Sequence, residues 1–108
     1  MDFNEYQDLA ADTAVHPGGN DGIVYLALGL GGEAGEVQES VKKWQRGQGA
    51  MGELDEEHLD GVEHELGDVL WYLARLADEL GYDLEDIAEM NREKLVARQD
   101  ANELHSHE

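Results

Sequence analysis

Cysteine is absent from the 108 residues, and basic residues are scarce: seven Lys plus Arg against 26 Asp plus Glu, a formal charge of −19. Without thiols there are no disulfide staples and no zinc site built on thiolates. So few cations exclude a binder of nucleic-acid polymers, whose affinity comes largely from Lys and Arg releasing counterions. They also speak against a membrane surface, where basic residues meet anionic lipid. No apolar run nears the roughly 20 residues of a transmembrane helix. The start, Met1 to Ala10, lacks the basic-then-apolar layout of a signal peptide. With 41% hydrophobic residues there is enough apolar side chain for one modest core. The expectation is one soluble, cytoplasmic domain.

Acidity of this degree also occurs in disordered chains, but those lack periodic apolar faces, and here several are present. Only three of the seven basic residues are Lys, so the surface is a nearly uniform anionic shell. Such a shell repels itself, and salt at about 1 M shortens the screening length to about 3 Å. A halophilic protein, adapted to a salt-rich cytoplasm, is the expectation.

No alternation of β-branched residues marks a strand, and no repeat at a solenoid period is present. Four helical stretches are. The first runs from about Phe3 to Val15 and is broken by His16-Pro17-Gly18-Gly19-Asn20. The second begins near Asp21 and carries Ile23, Leu26, Ala27, Leu30, Ala34, Val37, Val41 and Trp44 at helical spacing, ending in the loop Gly47–Gly52. The third has one continuous stripe from Leu59 through Leu66, Leu73 and Ala77 to Leu80, with Gly81 placed to stop it. Asp83 stands where an N-cap belongs, and Leu84, Ile87, Ala88 and Leu95 continue a fourth helix to about Gln99. Short connections between amphipathic helices predict an all-α, four-helix-type bundle over residues 1–99, followed by a polar acidic tail over 100–108. A bundle this small leaves apolar flanks exposed, so it is expected to assemble as a homo-oligomer. Trp71 points away from its own stripe and is expected at that interface, whereas Trp44 lies on the core stripe.

Carboxylates three apart share a helix face and can hold a hard divalent cation. Glu-x-x-Glu/Asp occurs six times, at Glu5/Asp8, Glu33/Glu36, Glu36/Glu39, Glu53/Glu56, Glu57/Asp60 and Glu65/Asp68, which is no more than chance supplies at this acid content. Position separates them. At roughly 100° per residue, Glu33 lies about 65° to one side of the second helix's stripe and Glu36 about 60° further out. Glu65 and Asp68 stand in nearly the same relation to the third. If the two helices pack antiparallel, four carboxylates converge on one cavity, where mutual repulsion calls for protons or cations, Mg²⁺ first among them. Gly29, Gly31, Gly32, Gly35 and Gly67 surround the pairs. Each costs about 1 kcal/mol relative to Ala mid-helix. They imply a close backbone approach, room for a ligand, or a bend near Gly31-Gly32.

The run Leu28-Gly29-Leu30-Gly31-Gly32-Glu33-Ala34-Gly35-Glu36-Val37, followed by Glu65-Leu66-Gly67-Asp68-Val69-Leu70-Trp71-Tyr72-Leu73, closely resembles the MazG-like, all-α nucleoside triphosphate pyrophosphohydrolases. Their hallmark is Glu-x-x-Glu, a spacer, then Glu-x-x-Asp. The spacer here, Val37 to His64, is 28 residues, toward the long end. Asn91-Arg92-Glu93-Lys94-Leu95 and Arg98 resemble the family's Asn-x-x-Lys-Leu segment, so the likeness covers roughly residues 24 to 98. It implies hydrolysis of an NTP or dNTP at the α–β bond, to the monophosphate and pyrophosphate, in nucleotide-pool sanitising. By carry-over, Glu33, Glu36, Glu65 and Asp68 are catalytic and ligate Mg²⁺, with Mn²⁺ as a substitute. The family also implies a homodimer or homotetramer.

A triphosphate meeting a −19 protein needs metal and local cations, or it is repelled. Lys43 lies on the Glu36 side of the second helix, and Lys94 and Arg98 share a face with Asn91, so these four are the candidate phosphate contacts. Tyr72 falls angularly between Glu65 and Asp68 and is a candidate for the base pocket. No His pair has a zinc or catalytic spacing, and Gly29-Leu30-Gly31-Gly32 lacks the Lys-Ser/Thr of a phosphate loop. Two other readings compete: the same site narrowed to dUTP or phosphoribosyl-ATP, and a non-catalytic acidic module that binds divalent cations or a basic partner.

Overall fold

The Asp2 carboxylate accepts the backbone N–H of Glu5 at 2.8 Å and so starts the first helix. The computed structural model describes residues 1–48 and 56–106, the side chains of 47, 48 and 103–106 aside. Its four helices are α1 (Phe3–Asp12), α2 (Gly19–Gln48), α3 (Glu56–Leu80) and α4 (Leu84–Ser106). No strand occurs among the described residues. α1 stops three residues short of the expected Val15, because the Thr13 N–H and hydroxyl both turn back onto the Ala10 carbonyl, at 3.2 and 2.9 Å. α2 continues through Gly31, Gly32 and Gly35 for 30 residues, about 45 Å at 1.5 Å per residue. Residues 49–52 of the expected glycine loop lie outside the described residues.

The turn from α3 to α4 follows the predicted chemistry. Gly81 takes φ +83°, its N–H donates to Asp78 O at 3.0 Å, and the Tyr82 N–H donates to Ala77 O at 2.8 Å. That pair of bonds is the Schellman arrangement, and the positive φ suits glycine. The Asp83 carbonyl accepts from Ile87 N, opening α4. The unpaired N–H of Leu84 at the helix start donates to Oε1 of Gln7 at 2.9 Å. Gln7 is buried; its Nε2 donates to Asp78 Oδ1 at 2.7 Å and to the Tyr82 carbonyl at 3.0 Å. One side chain of α1 therefore ties down the whole corner.

Among the described residues, α2 and α3 form the principal pair, α1 lies on α3, and α4 touches only α1 and α3. The core is small: Ala10, Ala74 and Leu84, with Tyr6, Leu70, Trp71 and Leu73 packed around them. Leu26 is fully buried on α2. The connection between α1 and α2 is held by Arg75. Its guanidinium pairs with Asp78 at 2.5 Å and Glu79 at 3.7 Å, and its Nε donates to His16 Nε2 at 3.3 Å. Because His16 Nδ1 lies 2.7 Å from the Pro17 carbonyl, which only accepts, the ring is the Nδ1–H tautomer.

Three expectations are corrected here. Trp71 does not face outward: its indole N–H donates to Thr13 Oγ1 at 2.8 Å and its ring meets His16 edge-on, since α1 and the following loop cover that side of α3. The stripe of α3 is not uniformly buried, with Leu59, Leu66 and Leu80 about half exposed. The segment expected as a tail is helical to Ser106. No Gly or Pro interrupts residues 84–106, so nothing stops propagation. Every residue from Glu89 to Asn102 is exposed, so α4 stands off the other helices rather than closing against them. The radius of gyration is 17.8 Å, against about 13 Å for a compact chain of this length.

Candidate active site

Gly29, Glu33, Glu36 and Ser40 follow one another at intervals of four, three and four and share one face of α2. Glu65, Asp68 and Tyr72 do the same on α3 at intervals of three and four. Two contacts join these faces. The Tyr72 ring lies flush on α2 at Gly29, where a Cβ would stand only 2.1 Å from Tyr72 Cε1. About a dozen residues along α2 from there, the Ser40 hydroxyl donates to Glu65 Oε1 at 2.7 Å. Numbering rises along α2 as it falls along α3, so the helices run antiparallel. Glu33 and Glu36 fall between the two contacts on one side and Asp68 on the other. The cluster of glycines also resolves: Gly29 is the close approach, and Gly31, Gly32, Gly35 and Gly67 face open space.

Glu33 and Glu65 are half-buried, Glu36 and Asp68 exposed. The Tyr72 phenol is pushed above its ordinary value of 10, first by a hydrogen bond with Tyr25, then by burial, then by the charges of Tyr25, Glu33 and Asp68. Carboxylates from both helices thus act on one hydroxyl. Tyr6 of α1 is also pushed up, by burial and then by Asp68. Tyr25 and Tyr72 rings lie 6.4 Å apart, and Trp71 meets Tyr72 edge-on at 5.0 Å, so an aromatic wall closes this end of the seam.

Glu65 Oε2 is buried and has no hydrogen-bond partner among the described residues. An ionised oxygen so placed needs a donor or a cation, and a carboxylate oxygen is the donor type that Mg²⁺ prefers. Among the described residues no three His, Asp or Glu side chains close on one point as a ready cage. Mg²⁺ does not need one, being held usually by one or two carboxylates with substrate phosphates and water. The residues fit the ion on that basis.

The expected phosphate contacts are not brought together. Lys43 is exposed on α2, two turns beyond Glu36; Asn91, Lys94 and Arg98 are exposed on the outstanding part of α4, which makes no contact with α2 among the described residues. Lys43, Lys94 and Arg98 make no ion pair with another described residue, whereas Arg75 and Arg92 are engaged by carboxylates. Ser40, Tyr25 and Tyr6 are at the site and were missed. Ser40 continued the Glu33/Glu36 spacing and Tyr25 lay one turn before Gly29, but neither residue type carries a signal of its own in a helix.

A sequence profile of the MazG nucleotide pyrophosphohydrolase domain matches residues 24–102. The chain belongs to the MazG family. The match takes in both carboxylate pairs and most of α4, and leaves out α1. A relative, the "Gene 37 protein" of Mycobacterium phage L5, is 41% identical over 105 residues, covering 93% of this chain and 90% of its own. Among solved structures, iMazG from Vibrio DAT 722 superposes with a TM-score of 0.64 at 28% identity, over 91% of this chain and 97% of that one. The structural likeness extends over most of the fold.

Proposed function

We propose that this MazG protein is a Mg²⁺-dependent nucleoside triphosphate pyrophosphohydrolase that cleaves the α–β bond of an NTP or dNTP, releasing the monophosphate and pyrophosphate. The observation that carries the reading is the stretch of seam between the Gly29–Tyr72 and Ser40–Glu65 contacts. Three carboxylates of the family pattern lie between these contacts, and the fourth, Glu65, forms one of them and has a buried oxygen without a partner among the described residues.

Glu33, Glu36, Glu65 and Asp68 would hold the metal, Mg²⁺ or in its place Mn²⁺. When bound, it would neutralise phosphate oxygens and lower the pKa of an attacking water. A carboxylate of the set takes the proton from that water. Tyr72, held protonated and bordered by Tyr25, lines the end of the seam where a base would lie. Lys43 extends the same face of α2 toward the phosphates. Asn91, Lys94 and Arg98 stand clear of α2 in their own chain, so a second copy is the means by which they reach a phosphate chain. A homodimer or homotetramer accords with the surface: 7974 Å² is accessible, against about 6,000 Å² for a compact monomer of this mass. The surplus is of the size a stable interface buries. Among the described residues no helix is long and apolar enough to cross a membrane, in keeping with a cytoplasmic enzyme that sanitises free nucleotides.

The test is pyrophosphate release from a panel of NTPs and dNTPs, dUTP and phosphoribosyl-ATP included, at high KCl with Mg²⁺ or chelator. Metal-dependent release that is lost in Glu36→Gln and Asp68→Asn with the fold retained supports the reading. Silence of the unsubstituted protein across the panel favours an acidic binding module instead. Lys94→Ala and Arg98→Ala should raise KM, and an unchanged KM removes the phosphate role.

A further inference from the structure

Among the described residues, Ser40 offers the one hydrogen bond that the Glu65 carboxylate receives, and it comes from the opposite helix. A serine within a helix commonly turns its hydroxyl onto the carbonyl four residues back; here that carbonyl is Glu36's, and the hydroxyl crosses to Glu65 Oε1 at 2.7 Å instead. The two oxygens of Glu65 are thereby made unequal: Oε1 is held, while Oε2 is buried and unpartnered. A glutamate's terminal torsion is broad and roughly twofold, so an unheld carboxylate would exchange its oxygens or swing out of the seam. A charge-assisted bond of this length stops that rotation.

We infer that Ser40 is a positioning residue for the metal centre, pinning Glu65 so that Oε2 alone is presented to the cation. The inference rests on the metal site proposed above and adds to it a residue of a different type, outside the two acidic pairs. Ser40 touches neither the metal nor the substrate. It acts through Glu65, and its effect is on how tightly and in what geometry the metal is held. Partners of this kind behind a ligand typically alter metal affinity by 10- to 100-fold when removed.

The experiment is binding of Mn²⁺ alone, without nucleotide, followed by the loss of the free-ion electron paramagnetic resonance signal in the unsubstituted protein, Ser40→Ala and Ser40→Thr. The same three proteins are assayed for the Mg²⁺ concentration that half-activates pyrophosphate release, and each fold is checked by circular dichroism. The expected result is about 10-fold weaker Mn²⁺ binding in Ser40→Ala, a matching rise in the half-activating Mg²⁺, and near-normal values in Ser40→Thr, which keeps the hydroxyl. Unchanged Mn²⁺ binding in Ser40→Ala overturns the role of Ser40 while leaving the metal site standing. Equal weakening in Ser40→Ala and Ser40→Thr also overturns it, assigning the loss to packing rather than to the hydroxyl. No Mn²⁺ binding and no metal-dependent release by the unsubstituted protein overturns the metal site, and Ser40's role with it.

Discussion

Substituting Gly29 by Ala places a methyl carbon 2.1 Å from Tyr72 Cε1 and within 2.8 Å of two further ring atoms. Carbon atoms rest at about 3.5–4.0 Å, so either the ring or the helices must yield by roughly 1.5 Å. The ring is not free to turn aside, being bordered by Tyr25 and Trp71. Overpacking of this kind costs about 1–3 kcal/mol, while exchanging Gly for Ala inside a helix contributes about 1 kcal/mol in the other direction. The net in the unsubstituted background is a loss of roughly 0–2 kcal/mol. In a Tyr72→Ala background the ring is gone and the helix term alone remains, so Gly29→Ala should stabilise by about 1 kcal/mol. Urea unfolding of the four proteins at one fixed concentration reads both values, with equal m-values as the check that the states compared are the same. A change of sign between backgrounds is the expected result. Additivity within about 0.5 kcal/mol would refute the crossing. Gly31→Ala and Gly35→Ala, which meet nothing within 4 Å, should each stabilise in both backgrounds.

Gln7→Leu strands the Leu84 N–H and the Tyr82 carbonyl and strips a donor from Asp78. It should cost about 2–4 kcal/mol in urea unfolding, and a loss under about 0.5 kcal/mol would contradict the corner's dependence on it. Burial lifts the Asp78 carboxyl above 3.8, with Arg75 pulling it back. A folded pKa above the unfolded one means the folded chain holds the proton more tightly, so this contribution is full below 3.8 and is lost as pH rises through the folded value. The stability of the unsubstituted protein relative to Asp78→Asn should therefore decline through that window and level off above it; a rise would reverse the assignment of cause. With 26 acidic residues against seven basic ones, the melting temperature should climb as KCl goes from about 0.1 to about 1 M, and a flat curve would remove self-repulsion as a significant cost.

Helix content was legible because it depends on neighbours within about one turn. Gly81 and Asp83 marked real ends, and the acidic pairs lie on the faces of α2 and α3 that meet at the Gly29–Tyr72 and Ser40–Glu65 contacts. Trp71 misled because a wheel drawn on α3 alone contains no α1. Its partner Thr13 is 58 residues away. Ser40 was silent for the same reason: a serine on a helix has no meaning until the facing helix puts a carboxylate against it. Nor does the pattern of α4 reveal its stand-off, since its apolar spacing looks alike whether a partner covers it or not.

By itself, then, the sequence determined the four helices, the stop at Gly81, the acid surplus and the spacing of Glu33, Glu36, Glu65 and Asp68, all of which follow from short-range geometry. The tertiary structure alone decided which glycine is crossed, which oxygen of Glu65 is held and which is left bare, and how Gln7 reaches Leu84 across 77 residues. Those outcomes depend on which faces meet and in what register, and no period along a single chain encodes that.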